Sequence, residues 1–228
     1  KCLEGILGRV KSVTVVDMAG RILPSILDDA GAAIVQRELE AKGVRFCLSD
    51  SVKKFEQGTA HLAGGGSIPF DLLVVAVGVR PNAELVREAG GEVARGIVTD
   101  DHLRTSLPDV FAAGDCTESD DVSSGTRKIL ALLPNATQQG FAAGVNMAGG
   151  DSAFGSAIPL NAIGFFGSHV LTAGSYTGES YAEAEGERYR RFFVQDGVLK
   201  GFILVNAPER AGIYTSLVRN RTPLAGLD

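Results

Sequence analysis

The segment Thr105-Ser106-Leu107-Pro108-Asp109-Val110-Phe111-Ala112-Ala113-Gly114-Asp115 constrains the fold more than any other stretch of the chain. Its short apolar run, residues 110–113, is predicted to be a strand that delivers Gly114 and Asp115 at its carboxyl end. In open α/β sheets that edge is where ligands bind. A glycine there lets a ligand approach the backbone, and a carboxylate accepts hydrogen bonds from polyol hydroxyls. Each step alone fits any strand and turn; the full length of the segment argues for a site.

The chain before it reads as α/β. Residues 13–17 (VTVVD) form a β-branched run, predicted to be a buried parallel strand with Asp17 at its carboxyl end. A helix is predicted from Asp28 and Asp29 to Lys42, closed by Gly43, with acids first and lysine and glycine last. Residues 44–48 form the next strand. Three short strands, 52–56, 59–63 and 67–69, are separated by turns at Gln57-Gly58 and Gly64-Gly65-Gly66. The triple glycine precedes a strand and not a helix, so it reads as a hairpin turn and not as a phosphate loop. Residues 72–77 (LLVVAV) are predicted to be another buried strand, ending at Gly78 with Pro81 fixing the exit. Gly78 marks either a plain turn or a backbone passing close to a flat ligand.

Residues 96–99 are predicted to be a strand and 118–126 a polar loop. A helix is predicted over 135–148, opened by Leu133-Pro134-Asn135-Ala136. Its small residues Ala136, Gly140, Ala143 and Gly144 suit close packing on a neighbour, and its amino end favours a developing anion. Gly149-Gly150-Asp151 ends it and is expected to mark a domain boundary. Beyond lies an α+β unit, with residues 188–195 and 198–205 flanking the hairpin signal Asp196-Gly197, and a helix from Pro208 to about Arg219. Residues 160–175, including Phe165 and Phe166, are expected to be core of that unit. The other reading is a surface for an acceptor protein or for a second subunit in a homodimer.

At 228 residues, 45% hydrophobic and 21% charged, the chain can bury a core as one large domain or two modest ones. A formal net charge of −5 argues against nucleic acid as a partner. No apolar run reaches the roughly 18 residues of a membrane span, and no cationic leader precedes an apolar stretch. Cys2, Cys47 and Cys116 are odd in number and far apart, which suits neither a disulfide framework nor a metal knuckle and points to the reducing cytoplasm. Residues 1–7 read as the middle of a helix without a cap, so the chain is expected to be a fragment.

The order VTVVD, VVAVGVRPN, TSLPDVFAAGDC and LPNATQQGFAAG resembles the pyridine nucleotide-disulfide oxidoreductase superfamily. It is most similar to the branch of NADH–rubredoxin reductases, ferredoxin reductases of that type and the flavin portion of nitrite reductases. The resemblance implies a partial, Rossmann-like flavoprotein with two dinucleotide-binding domains, followed by a small carboxy-terminal α+β domain. Residues 1–79 would be the latter part of the NAD(P)-binding domain, 80–150 the returning half of the FAD-binding domain, and 151–228 the carboxy-terminal domain. By the same resemblance Asp115, beside Gly114, holds the ribitol of FAD, and Gly78 lies near the cofactors. Asn135 and Ala136 begin the helix facing the flavin ring, Asp17 contacts the NAD ribose, and Arg21 lies close to the adenosine. Both glycine fingerprints, the first half of the FAD site and the region of the redox cysteines in disulfide-type members have no counterpart here.

The implied activity is hydride transfer from NAD(P)H to FAD and onward to an acceptor, a rubredoxin-like small redox protein or a partner domain. Such transfer needs stacked rings and excluded water rather than an acid–base residue. His61, His102 and His169 are accordingly expected to be surface or structural residues, no residue is assigned as catalytic, and Cys116 is expected to be an inert buried thiol. Two further readings stand beside it: an NAD(H)-sensing flavoprotein binding module, and a disulfide or peroxide reductase whose redox cysteine lies outside this chain.

Overall fold

The computed structural model describes Gly5 and residues 8–226. The helix expected over residues 1–7 therefore lies outside the described residues, apart from Gly5. Strand β1 (Val13–Asp17) leads through helix α1 (Asp29–Ala41) to strand β2 (Val44–Leu48), and the two strands pair in parallel, Val13 opposite Val44 and Asp17 opposite Leu48. The β1 residues are half-buried rather than buried, and Asp17 is exposed. Helix α1 obeys its sequence signals. Asp28 is the N-cap and accepts the Gly31 N–H, Lys42 is the C-cap, and Gly43 follows at φ +90°.

An antiparallel sheet of β3 (Val52–Glu56), β4 (Thr59–Leu62) and β5 (Ser67–Pro69) follows. Helix α2 (Glu84–Glu88) comes next, then a hairpin of β6 (Ser119–Asp121) and β7 (Thr126–Lys128), then helix α3 (Leu133–Met147). The expected polar loop at 118–126 thus contains paired strands. Inside it, Asp121 is fully buried, bonded to the Ser123 and Ser124 hydroxyls and to Lys128 Nζ at 2.7 Å. With the Ser123 N–H as well, four donors on one carboxylate, invisible to composition, turn a polar stretch into a folded one.

The carboxy-terminal part is a five-stranded antiparallel sheet in the order β10-β11-β12-β9-β8, formed by β8 (Leu160–Phe165), β9 (Ser168–Gly174), β10 (Glu179–Glu185), β11 (Arg188–Gln195) and β12 (Val198–Val205). Asp196 and Gly197 make the β11–β12 turn with φ 53° and 71°, the left-handed pair that a two-residue hairpin demands. Gly174 faces Gly201 across β9 and β12, and a Cβ on Gly174 would fall 2.0 Å from the Lys200 carbonyl oxygen. Helix α4 (Ala211–Asn220) starts shortly after Pro208 and covers one face of the sheet, closing a core of Ile158, Ala173, Leu199, Phe202, Leu204 and Val218. Phe165 packs against the other core, and Phe166 occupies a turn at φ 49°.

That other core joins the first and last parts of the chain. Ile34 and Val35 of α1 pack with Val170, Tyr189, Ile203 and Val205 of the sheet. Each such buried aliphatic side chain contributes about 1.5–3 kcal/mol. Polar bonds frame this contact. Asp28 Oδ2 accepts from Tyr189 Oη at 2.6 Å and from Arg191 Nη1 at 2.7 Å. Glu38 accepts from Asn206 Nδ2 at 2.6 Å and from the Ser168 hydroxyl, and Tyr176 Oη donates to the Ile26 carbonyl at 2.8 Å.

Three expected strands are not formed. Residues 72–79 are unpaired: among the described residues no backbone hydrogen bond links 71–82 to another segment, and Val74, Val77 and Val79 are 69%, 90% and 87% exposed. A parallel strand exists only through its neighbours, and no described strand lies beside this one. Residues 96–99 and 110–113 are reduced to isolated bridges, Ile97 with Val93 and Thr117, and Phe111 with Arg104. Around 110–113 tight local bonds to Leu103, Thr105 and Leu107 use the backbone groups that a ladder would need, while Ile97 spends its N–H and carbonyl on Cys116 and Glu118.

Two expectations follow. Burial alone would raise the Asp28 pKa, but the bonds from Tyr189, Arg191 and Gly31 together hold it below the ordinary 3.8. Its stabilisation is therefore complete above the unfolded value of 3.8 and is lost as pH falls through the lower folded value. Asp28→Ala removes the cap and strands Arg191, lowering stability by about 2–4 kcal/mol in denaturant unfolding, and Asp28→Asn, which keeps the cap acceptor, loses less. Brief thermolysin digestion of this chain should cleave first within residues 72–79, as mass spectrometry of the earliest fragments will show.

Candidate functional site

Gly114 and Asp115 sit in a four-residue turn and not at the end of a strand. Gly114 has φ +90°, a conformation that favours glycine. Its carbonyl accepts from the Thr117 N–H at 3.0 Å and from Thr117 Oγ1 at 2.8 Å, which makes Asp115 and Cys116 the central residues. Asp115 is exposed, and its carboxylate has no hydrogen-bonding or ionic partner among the described residues. Cys116 turns inward. Its thiol donates to the Ala113 carbonyl at 3.5 Å and packs beside Ala83, Val86, Ile97 and Ala112.

The turn abuts the first turn of α3, where a Cβ on Gly114 would lie 3.7 Å from Ala136 Cβ. The N-cap Leu132 has no side-chain acceptor and a proline occupies the first turn, so this end keeps free N–H groups and partial positive charge. Asn135 is 3% exposed, and its side chain points away from that end, donating to the Ile158 carbonyl at 3.2 Å. Only its backbone remains to face a ligand.

Sequence reasoning misses Gln139. Its side chain is 3% exposed; Oε1 accepts from the Gly114 N–H at 2.6 Å and lies 3.3 Å from Thr117 Oγ1, which shares its one proton with the Gly114 carbonyl, and Nε2 donates to the Ser119 hydroxyl. The expectation about small residues also needs correction. Gly140 and Gly144 lie on an open face, where a Cβ added to either would meet no atom within 4 Å, alongside exposed Leu133, Phe141 and Met147. The packed face carries Ala142 and Ala143 between three buried amides, Asn135, Gln139 and Asn146. Asn146 bonds the carbonyls of His102 and Ser152, each at 2.8 Å. Amides recurring at i, i+4 and i+11 were the available signal.

Asp17 and Arg21 form a second locus. Asp17 Oδ1 accepts the Ala19 N–H at 2.9 Å, leaving its other oxygen toward solvent. Arg21 is committed to its own loop, donating to the Leu27 and Pro24 carbonyls at 3.1 and 3.3 Å and pairing with Asp29 at 3.2 Å. Gly78 stands apart in the exposed, unpaired segment, with φ +97° and open space around it. The structure therefore gathers Gly114, Asp115, Ala136 and the backbone of Asn135, and leaves Gly78 outside the group.

Among the described residues, Asp100, Asp101 and His102 are close enough to share a metal ion. Both ring nitrogens of His102 are already engaged, by Asp101 at 2.6 Å and Asp151 at 2.8 Å, and these carboxylates raise its pKa. The group works as an ionic clasp between the residue 100 turn and the end of α3. Among the described residues no helix is long and apolar enough to cross a membrane.

The chain is 32% identical over 237 residues to "NADH-dependent phenylglyoxylate dehydrogenase subunit epsilon" of Aromatoleum evansii, covering 98% of the chain and 56% of that protein. It is 35% identical over 138 residues to "Rubredoxin-NAD(+) reductase" of Pseudomonas putida, covering 58% of the chain and 36% of that protein. The structure of a FAD-dependent pyridine nucleotide-disulphide oxidoreductase from Desulfovibrio vulgaris superposes with a TM-score of 0.79 at 25% identity, over 90% of this chain and 58% of that one. The chain thus spans between about a third and three fifths of the length of these proteins. The family profile described as pyridine nucleotide-disulphide oxidoreductase matches residues 6–140. The Gly114 turn, the α3 amino end and the β1–α1–β2 unit all fall within that match, and the chain belongs to the pyridine nucleotide-disulphide oxidoreductase family.

Proposed function

We propose that this chain is part of an FAD-dependent oxidoreductase that draws electrons from NAD(P)H and delivers them to a small redox protein or a partner subunit in the cytoplasm. Residues 1–79 would serve NAD(P)H, 80–150 would close the FAD site, and 151–228 would form the carboxy-terminal domain. The observation that carries the reading is the Gly114–Thr117 turn, which holds the unpartnered carboxylate of Asp115 beside the uncapped start of α3. The relatives' names, with their NADH, rubredoxin and FAD, support the same direction.

These residues suit FAD. The positive φ of Gly114 keeps side-chain bulk off the backbone, Asp115 can accept a charge-assisted hydrogen bond from a ribitol hydroxyl, and the α3 amino end favours negative charge on the pyrimidine side. Bound there, FAD would supply the chemistry of accepting a hydride from nicotinamide and passing the electrons on. Asp17 supplies the remaining contact, one carboxylate oxygen for the adenosine ribose. The exposed apolar segment 72–79 and the open face of α3 are surfaces that the rest of a full-length protein would cover.

In the full-length protein, Asp115→Ala should weaken FAD binding about ten- to a hundredfold, the equivalent of ~1.5–3 kcal/mol, with little change in the apoprotein's melting temperature. Unaltered flavin dissociation with lowered stability would reduce Asp115 to a turn residue, and a full-length protein that takes up no flavin would overturn the reading. With both nucleotides in steady-state assays, Asp17 should repel a 2′-phosphate, and Arg21, tied into its loop, is not placed to offset it. NADH should therefore be preferred by about tenfold or more in kcat/KM; a preference for NADPH contradicts the role of Asp17.

A further inference from the structure

We infer that Gln139 is the positioning residue of the flavin site, holding the Asp115 turn in register with the start of α3. The inference rests on the flavoprotein reading above and extends it to a side chain buried behind the turn. The geometry is specific. The turn has one exposed functional group, Asp115, and its leading N–H, on Gly114, is bonded by Gln139 Oε1 at 2.6 Å. The trailing residue, Thr117, reaches the same oxygen at 3.3 Å while also bonding the Gly114 carbonyl at 2.8 Å. The amide nitrogen is anchored on Ser119, in the strand that follows. Gln139, Thr117 and Ser119 are 3%, 2% and 8% exposed, so water does not replace these bonds.

Gln139 lies one helical turn beyond Asn135, so a single side chain links the two elements that would hold opposite ends of one ligand portion, the Asp115 carboxylate and the α3 amino end. The other two amides on this face do different work. Asn135 bonds Ile158, and Asn146 bonds His102 and Ser152, all away from the turn. A side chain that only packed the helix would not need both ends of its amide fixed to the Gly114–Ser119 segment.

The test is a double-mutant cycle on FAD affinity in the full-length protein, read by flavin fluorescence on dissociation, with melting of the apoprotein measured alongside. Gln139→Leu keeps the volume but removes the acceptor from Gly114, and is expected to weaken FAD binding about tenfold. In an Asp115→Ala background the same change should matter less than about threefold, because the group it positions is gone. Gln139→Glu, which keeps an acceptor for Gly114 and Thr117 and can accept a hydrogen bond from the Ser119 hydroxyl, should restore most of the affinity. Asn146→Leu, on the same face but remote from the turn, should lower the melting temperature without changing FAD affinity. Full FAD affinity in Gln139→Leu, an equal loss in the Asp115→Ala background, or an equal loss in Asn146→Leu would each overturn the positioning role. An Asp115→Ala variant with wild-type affinity would reduce Asp115 to a turn residue and overturn the positioning role with it, whereas a wild-type protein without FAD would instead overturn the functional reading beneath it.

Discussion

The carboxylate of Asp28 is the interaction on which the rest of this structure depends. One oxygen caps α1 through the Gly31 N–H, and the other accepts from Tyr189 and Arg191 of the carboxy-terminal sheet. Helix start and sheet face are thereby fixed to one another by a group only partly open to water. The phenol of Tyr189, desolvated and facing that carboxylate, is pushed up to about 12. The apolar contact of Ile34 and Val35 on Val170, Ile203 and Val205 supplies area without direction, and the Asp28 bonds supply the direction. Because α1 connects β1 to β2, fixing α1 also fixes where Asp17 and its loop stand.

Helix α3 organises the second half of the problem by different means. Its buried face is a column of amides, each gripping backbone from a different segment: Ile158, the Gly114 turn, and His102 with Ser152. Amides serve here because each can donate and accept at once, satisfying irregular backbone that no helix or ladder would satisfy. The turn bearing Asp115 is thus held by hydrogen bonds to a helix, where a parallel sheet edge was expected to hold it. The opposite face of α3, with Gly140, Phe141 and Gly144, and the unpaired run 72–79 remain exposed apolar surface.

Elements governed by local rules could be read directly. Asp28 through Gly43 spells a cap, an acidic start, a core-facing stripe and a glycine stop, and the helix obeys it. Asp196-Gly197 spells a hairpin, and it sets Gln195 opposite Val198 and Val194 opposite Leu199 before a bulge at Phe193 shifts the register. Gln57-Gly58, with φ 46° and 73°, does the same for β3 and β4. Gly114 and Asp115 stood out as a glycine beside a carboxylate, a local pattern, but the strand expected to deliver them is reduced to one bridge at Phe111.

Other features depended on partners that a linear reading does not supply. LLVVAV has every residue a buried strand wants, but strand character requires a neighbour to complete the ladder, and none of the described strands pairs with it. Arg21 carries the charge to meet a phosphate, but folding spends its donors on Leu27, Pro24 and Asp29. Gln139 looks like any polar helical residue until the fold brings Gly114, twenty-five positions earlier, within 2.6 Å of it. The sequence by itself determined α1, α3 and α4, the hairpin turns at Gln57-Gly58 and Asp196-Gly197 and the side-chain chemistry at Asp115 and Asp17, since those follow from short-range sterics and capping. Only the tertiary structure decided which polar groups are committed and which stay open, because a hydrogen bond belongs to two residues and their meeting is a property of the folded chain.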